Sequence, residues 1–446
     1  MRVLSLFDIY VLMCVKRIIA FVFALSASAL LYGQDEEWTL GQCVDYALRQ
    51  NISVQRGKIS LEQSRISTEQ AKGQWQPGVS FSASQNLSNS PFVEGGYRNT
   101  YSGNYNIGAS WTVFNGFRRK YSIEQAELQE VIQETSLKST EEDIKIAVLT
   151  CYLQVLYAKE NVAMKRNSLE TSNEQLSRYK QLYEAGSVSM SDLSQIESQH
   201  VSELYQLTVA ENQLEDNLLQ LKQLLRLDLN QPFDVRGMNF TQEEVLAELG
   251  NKDSIYAAAL SSRPEIASAL LNERMADLQI KSAKSGYYPS VNLNANVGTG
   301  HNNHGTGDQI KENFGESVGI SLNYAIADNR ERKSTLRKAK LNKTMSGLET
   351  ENLKDDLKKT IEAAYLDAKA AQLNYVASKS NEQAAEATYE LTKEKFSLGM
   401  KSPFEMLSEK NSLLNAQQQT LQSKYTAILN IQILNIYQGL PMEVGQ

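Results

Sequence analysis

Three groups of residues in this 446-residue chain have the types and spacing of working chemistry. Gly315-Glu316-Ser317-Val318-Gly319 has the G-x-S-x-G form that exposes a serine nucleophile on a strained turn. His301 and His304 stand at the H-x-x-H spacing of two metal ligands. Ser189-Met190-Ser191-Asp192 and Ser402-Pro403-Phe404-Glu405 each place a carboxylate three residues after a serine. Such a carboxylate can cap its own helix. Repeated around a pore, it can also join a negative ring that selects cations or responds to protonation.

The surrounding elements decide among these. A nucleophile elbow needs a strand-to-helix turn, but Ser317 lies at the start of an alternating strand. The two histidines fall in a Gly- and Asn-rich loop, a weak metal site, and His200 stands alone on a helix among Gln, Ser and Glu, a solvated position. The chain has no phosphate loop, zinc-protease motif or dinucleotide fingerprint. We therefore assign no catalytic, cofactor-binding or metal residues and expect no enzyme. The carboxylates remain, because Gly186 and Gly399 precede them and read as left-handed helix ends, so both sit in helix-reversing turns. Val188, Met190, Met400 and Phe404 place apolar side chains at the same turns, either for a partner or for packing between neighbouring turns.

The two turns belong to a duplication. Ala71-Lys72-Gly73-Gln74-Trp75-Gln76-Pro77 returns about 212 residues later as Ala283-Lys284-Ser285-Gly286-Tyr287-Tyr288-Pro289. Tyr183-Glu184-Ala185-Gly186 returns as Phe396-Ser397-Leu398-Gly399. Each copy holds two alternating strands followed by a long helical stretch, a duplicated half-protein rather than a solenoid unit.

The strands alternate with period two. Val79, Phe81 and Ala83 form the apolar set of the first; Tyr105, Ile107, Ala109, Trp111 and Val113 that of the second. Val291, Leu293, Ala295 and Val297 form the third set, and Val318, Ile320, Leu322, Tyr324 and Ile326 the fourth. The intervening residues are small and polar, as in a soluble antiparallel sheet or a transmembrane barrel with a polar lumen. Gly-, Asn- and Ser-rich stretches at 85–104 and 298–314 suit long outward loops. Four strands cannot close a barrel, so a membrane role demands oligomerisation in multiples of four strands.

Arg118 to Ala185 contains neither Pro nor Gly, which predicts a helix on the order of 100 Å. A return helix follows from Met190 to about Leu225; the second copy runs from Asn329 to Leu398 and from Pro403 to about Tyr437. Residues 227–253 read as an irregular linker, 34–76 and 254–288 as the helices opening each half, and 439–446 as a tail. The β-hairpins fall at 77–115 and 289–328, and the long helical hairpins at 116–226 and 329–438.

At the N-terminus, Lys16-Arg17 precede the apolar run Ile18–Leu31, followed by small residues. Residues 1–33 read as an export signal, with Ala27-x-Ala29 as a competing cleavage site, Met13 as a second possible start and a membrane anchor as the alternative. Residues 1–33 carry Arg2, Lys16 and Arg17 against Asp8, so a chain cleaved there goes from −7 to −9. An acidic exported chain without a basic block is no nucleic-acid binder. Cys43 and Cys151 read as buried small residues on helices.

These features together resemble the TolC-type outer-membrane efflux proteins over essentially the whole exported chain. The resemblance rests on Leu40-Gly41-Gln42-Cys43-Val44-Asp45-Tyr46-Ala47-Leu48, Arg263-Pro264-Glu265, Trp75-Gln76-Pro77, Tyr287-Tyr288-Pro289 and Trp111-Thr112-Val113-Phe114-Asn115-Gly116. It rests also on the two Gly turns, followed by Asp192-Leu193 and Glu405-Met406. It implies a mainly α chain with a transmembrane β part, in which four strands per chain complete a twelve-stranded barrel in a homotrimer. The helical hairpins would form a periplasmic tube, docked to a periplasmic adaptor and an inner-membrane pump. The barrel would contact outer-membrane lipid, and the channel would be passive.

In the family, a Tyr and an Arg flanking the second Gly hold an Asp after the first. The matching residues here are Phe396, Lys401 and Asp192, so the hydroxyl link is lost and a Lys401–Asp192 point-charge contact is left. The family's acidic constriction maps to Glu405 and Ser408, one acid fewer. Protein secretion or metal-ion export on the same fold are alternatives, as is a pore-free periplasmic coiled-coil protein.

Overall fold

The computed structural model describes residues 37–89, 91–92, 99–303 and 308–440. The export signal, His304 and most of the 439–446 tail lie outside them. Helix α1 (Leu40–Gln50) starts at Thr39, whose hydroxyl and backbone N–H form a capping box with Gln42. Helix α2 (Ile52–Gly73) follows, with Asn51 as its N-cap. Strands β1 (Gly78–Asn89) and β2 (Asn99–Asn115) lead to α3 (Arg118–Glu184) and α4 (Met190–Leu225). A linker with the single-turn helix α5 (Gln242–Val245) joins the halves. The second half repeats the order: α6 (Lys252–Ser262), α7 (Pro264–Ser285), β3 (Ser290–Asn302), the short α8 (Gln309–Glu312), β4 (Gly315–Asn323), α9 (Glu331–Ser397) and α10 (Pro403–Tyr437).

The four strands form one antiparallel sheet in chain order, β1-β2-β3-β4. Its register aligns side chains into rows. Phe81 faces Ile107, Ile107 faces Val297, Trp111 faces Leu293 and Leu293 faces Ile320 on one surface. Ser80, Gly108, Asn296 and Ser317 form a row on the other. The apolar surface is bare: Phe81 is 69% exposed and Ile320 76%. A soluble protein would cover such a face with helices or a second sheet. Aromatic residues flank it, with Tyr101 and Tyr105 near His301 at one end and Trp75, Phe117, Tyr288 and Tyr324 at the other.

The strands depart from the expected bounds in three places. Most of 85–104 and 298–302 is paired strand rather than loop, because Ser and Asn side chains are tolerated wherever the ladder satisfies the backbone. A bulge between Thr112 and Phe114 puts Phe114, not Val113, opposite Val291. Strand β4 ends at Asn323, so Tyr324 and Ile326 lie beyond the ladder. His301 likewise stands on β3, not in a loop, tilted against Tyr101 and stacked near Tyr105.

Both strand-to-helix corners use left-handed residues: Gly116 and Phe117 in the first half, Asn329 and Arg330 in the second. Gly116 is required there, since a Cβ would lie 2.3 Å from the Ser285 carbonyl oxygen. Just past the first corner, Arg119 is buried and lies 3.7 Å over the Trp75 ring. It donates to the Thr112 carbonyl at 2.7 Å, beside the bulge. The matching Arg332 lies over Tyr287 at 5.3 Å and bonds Asp328.

Below the sheet, α2 packs on α3, α3 on α7 and α7 on α9, a wall that continues the strand order. Helices α3 and α9 have 67 residues each, on the order of 100 Å. The main core lies part-way down, where α1 and the linker wrap the long helices. Tyr152 is fully buried there and its hydroxyl donates to the carbonyls of Trp38 and Arg236 at 3.1 and 2.8 Å. Cys43 belongs to this core, and burial pushes its thiol up to about 12; Cys151 is half-buried. No helix among the described residues is long and apolar enough to cross a membrane.

Candidate gate at the helical tip

The far end of the molecule is made by two reversals of the same design. After α3, Gly186 (φ +72°) lets the Ser187 N–H return to the Leu182 carbonyl at 2.8 Å. After α9, Gly399 (φ +74°) does the same for Met400 and Lys395 at 2.9 Å. This pairing closes the helix ends in a Schellman motif.

Each reversal restarts with a capping box. Asp192 accepts from the Ser189 hydroxyl at 2.7 Å, and its own N–H donates to that oxygen at 3.1 Å. Glu405 accepts from the Ser402 N–H at 3.0 Å and from its hydroxyl at 3.1 Å. The Lys401 ammonium also donates to Glu405. That contact, followed by the Ser402 backbone N–H, holds the Glu405 carboxyl at about 2.

Lys401 is therefore engaged inside its own turn, and the Lys401–Asp192 contact is not formed in the chain. The reason is distance along the helix: Glu405 is one turn away from Lys401, whereas Asp192 is on the other hairpin and already capped. Phe396 stacks parallel on Tyr179 at 6.1 Å, so the position that has lost its hydroxyl serves packing. Burial, followed by the Asp192 charge, pushes the Tyr179 phenol upward.

Val188 is half-buried, as packing between neighbouring turns requires. It packs with Phe396 against a tip cluster of Tyr179, Leu193, Ile196, Tyr389, Met406 and Leu407. Met190 (55% exposed), Met400 (71%) and Phe404 (68%) remain outward. Ser408 is exposed.

One group escaped sequence reasoning. Lys410 of α10 reaches Glu203 of α4 at 2.8 Å, and Ser168 of α3 donates to the same carboxylate at 2.9 Å. Both charges are buried. Gln199–Asn411, Lys165–Gln418 and Lys424–Glu160 extend this polar seam between the two hairpins. The signal was present in the chain: Glu203 interrupts the stripe Leu193, Ile196, Leu207, Ala210, and Lys410 interrupts Met406, Leu407, Leu413. His200, expected to be solvated, is half-buried and its Nδ1 is enclosed without a partner.

A bare apolar sheet face, a polar opposite face and a duplicated hairpin tube now stand together. A family model described as outer membrane efflux protein matches residues 43–225 and 255–434, one stretch in each half. The chain belongs to the outer membrane efflux protein family. The outer membrane efflux protein BepC of Brucella suis is 20% identical over 428 residues, covering 93% of this chain and 88% of BepC. Among solved structures, the CusC channel superposes with a TM-score of 0.77 at 15% identity, covering 90% of this chain and 92% of CusC. VceC of Vibrio cholerae gives 0.75 at 16% identity, covering 91% of this chain and 97% of VceC. At these identities the superpositions establish the fold: long helical hairpins with four strands per chain. As an outer membrane efflux protein, the chain places its sheet in the outer membrane and its helices in the periplasm, and serves as an exit duct.

Proposed function

We propose that three copies close their sheets into one twelve-stranded barrel and their helical walls into one tube. The single observation that carries this is the sheet itself. Among the described residues, both β1 and β4 are unpaired along their outer edges and nothing lies against the apolar face. In hydrocarbon every backbone group must be paired, so a four-stranded open sheet can enter a bilayer only by mating its edges. The polar rows of Ser, Asn and Gly then line the lumen.

Passage through the duct is passive in this reading. Small polar lumen residues suit transit rather than recognition, and energy comes from an inner-membrane pump reached through a periplasmic adaptor. Met190, Met400 and Phe404 form the adaptor contact at the tip. Asp192, Lys401, Glu405 and Phe396 form the gate, with Glu405 contributing a weak cation-selective ring and Gly186 and Gly399 setting the turns.

The test combines three readouts on the full chain. Outer-membrane fractions should contain heat-resistant trimers, purified trimers should conduct in planar bilayers, and gene deletion should sensitise cells to some of a panel of antibiotics, detergents, bile acids and metal salts. Monomers in the soluble periplasmic fraction, without conductance, would overturn the proposal.

A further inference from the structure

The chain is acidic overall, yet one level of the molecule carries a cluster of cations. The first three turns of α9 and the residue before it carry Arg330, Arg332, Lys333, Arg337, Lys338 and Lys340 against Glu331 alone. At the start of α3, Arg118, Arg119 and Lys120 come with no acid in the first turn. This is the wrong end for cations by the helix dipole, which favours anions at N-termini. Something other than helix stability must account for them.

Internal partners account for only some of them. Arg119 is buried against Trp75 and the Thr112 carbonyl, Lys120 pairs with Glu124 and Arg332 is held by Asp328, but Arg330, Lys333, Arg337, Lys338 and Lys340 make no ion pair among the described residues. The N-termini of α3 and α9 also flank a cleft of about 610 Å³ over the end of α7, where Arg118, Arg332 and Lys338 outnumber the two acids, Asp328 and Glu331.

Location supplies the partner's chemistry. The cations begin at the aromatic belt, where Arg332 lies over Tyr287 and Tyr324. From Glu331 to Lys340 the helix descends roughly 14 Å. A headgroup layer is about 5–8 Å thick, and an anionic surface is felt for roughly 8 Å more in physiological salt. The whole run therefore lies within the headgroups or within their field.

We propose that this collar binds phospholipids with net negative headgroups in the periplasmic leaflet, anchoring the tube's upper end at the membrane plane. The proposal rests on the barrel reading above. Basic residues at such a surface contribute on the order of a fivefold gain in affinity each.

The test uses full-length trimers in nanodiscs made from equimolar phosphatidylglycerol and phosphatidylcholine, with bound lipids counted by native mass spectrometry. The intact protein should enrich phosphatidylglycerol about tenfold or more, and excess inorganic phosphate should not displace it. The Lys333→Gln, Arg337→Gln, Lys338→Gln, Lys340→Gln variant should bind the two lipids about equally. A control with Lys354→Gln, Lys358→Gln and Lys359→Gln, lower on the same helix, should keep the enrichment. Equal enrichment in the collar variant overturns the proposal, as does loss in the control. Dissociation of the collar variant in neutral detergent also overturns it, because the cations would then be pairing with a neighbouring copy. Failure of the intact chain to enter nanodiscs as a trimer would instead overturn the barrel reading.

Discussion

Lys410 Nζ lies 2.8 and 3.0 Å from the two carboxylate oxygens of Glu203, joining the two hairpins beside the apolar tip cluster. With 5% and 2% of the two side chains exposed, water cannot replace either partner. Removing one leaves a buried charge, at a cost of roughly 3–5 kcal/mol. Lys410→Met alone and Glu203→Gln alone should therefore lower the thermal midpoint of the trimer and raise its bilayer open probability. The paired Lys410→Met, Glu203→Leu variant should recover most of the stability. Equal losses in the single and paired variants would show that packing volume, not the ion pair, holds the hairpins together.

The glycines of the chain divide by cause. Gly186 and Gly399 have left-handed φ values and open space where a Cβ would stand, so alanine there costs backbone strain alone, about 1–2 kcal/mol. Gly116→Ala adds a collision with the Ser285 carbonyl at 2.3 Å and should abolish trimer formation. Trimer yield from outer-membrane fractions should rank the three accordingly.

The pH response of the tip follows from Glu405. Its carboxyl is held at about 2, below the ordinary 4.5. A lowered value means stabilisation that is complete above about pH 4.5 and lost as pH falls toward 2. Reversal potentials should thus stay constant between pH 7 and 5. Lys401→Met removes the largest cause of the shift and should bring an acid-dependent change in selectivity toward pH 4–5. Glu405→Gln should reduce cation selectivity throughout pH 5–7, where the carboxyl is charged; an unchanged reversal potential would remove Glu405 from the ring.

Neighbouring residues on β4 give opposite expectations. Ile320 belongs to the apolar surface and Ser321 to the polar one. Ile320→Arg places a cation in hydrocarbon, at roughly 2–4 kcal/mol per copy, and should prevent heat-resistant trimers. Ser321→Arg should assemble normally and lower the single-channel conductance.

Much of this was legible because it is local. The αL glycines, the two capping boxes and the starts of α4 and α10 depend on residues within four positions, and they stand where the sequence put them. The strand pattern was legible as far as alternation runs unbroken. It failed at Val113, where a bulge inserts one residue, and at 85–104, where polar strands resemble loops. The tip was legible in its turns but not in its partners. Lys401 chose Glu405 over Asp192 because one helical turn separates them, a choice that only the folded turn reveals. The Lys410–Glu203 pair joins positions 207 residues apart, and periodicity shows only that each charge interrupts an apolar stripe.

The unpaired edges of β1 and β4 carry a genetic consequence. No copy can rest alone in the bilayer, so in the proposed trimer each ring commits three chains at the moment of insertion. A variant that assembles but cannot open spoils every ring it enters. Co-expressed equally with the intact chain, it leaves roughly one ring in eight free of defect, if copies mix at random in a closed cyclic assembly. Such an allele should behave as dominant. One that cannot mate its edges, such as Ile320→Arg, should be recessive.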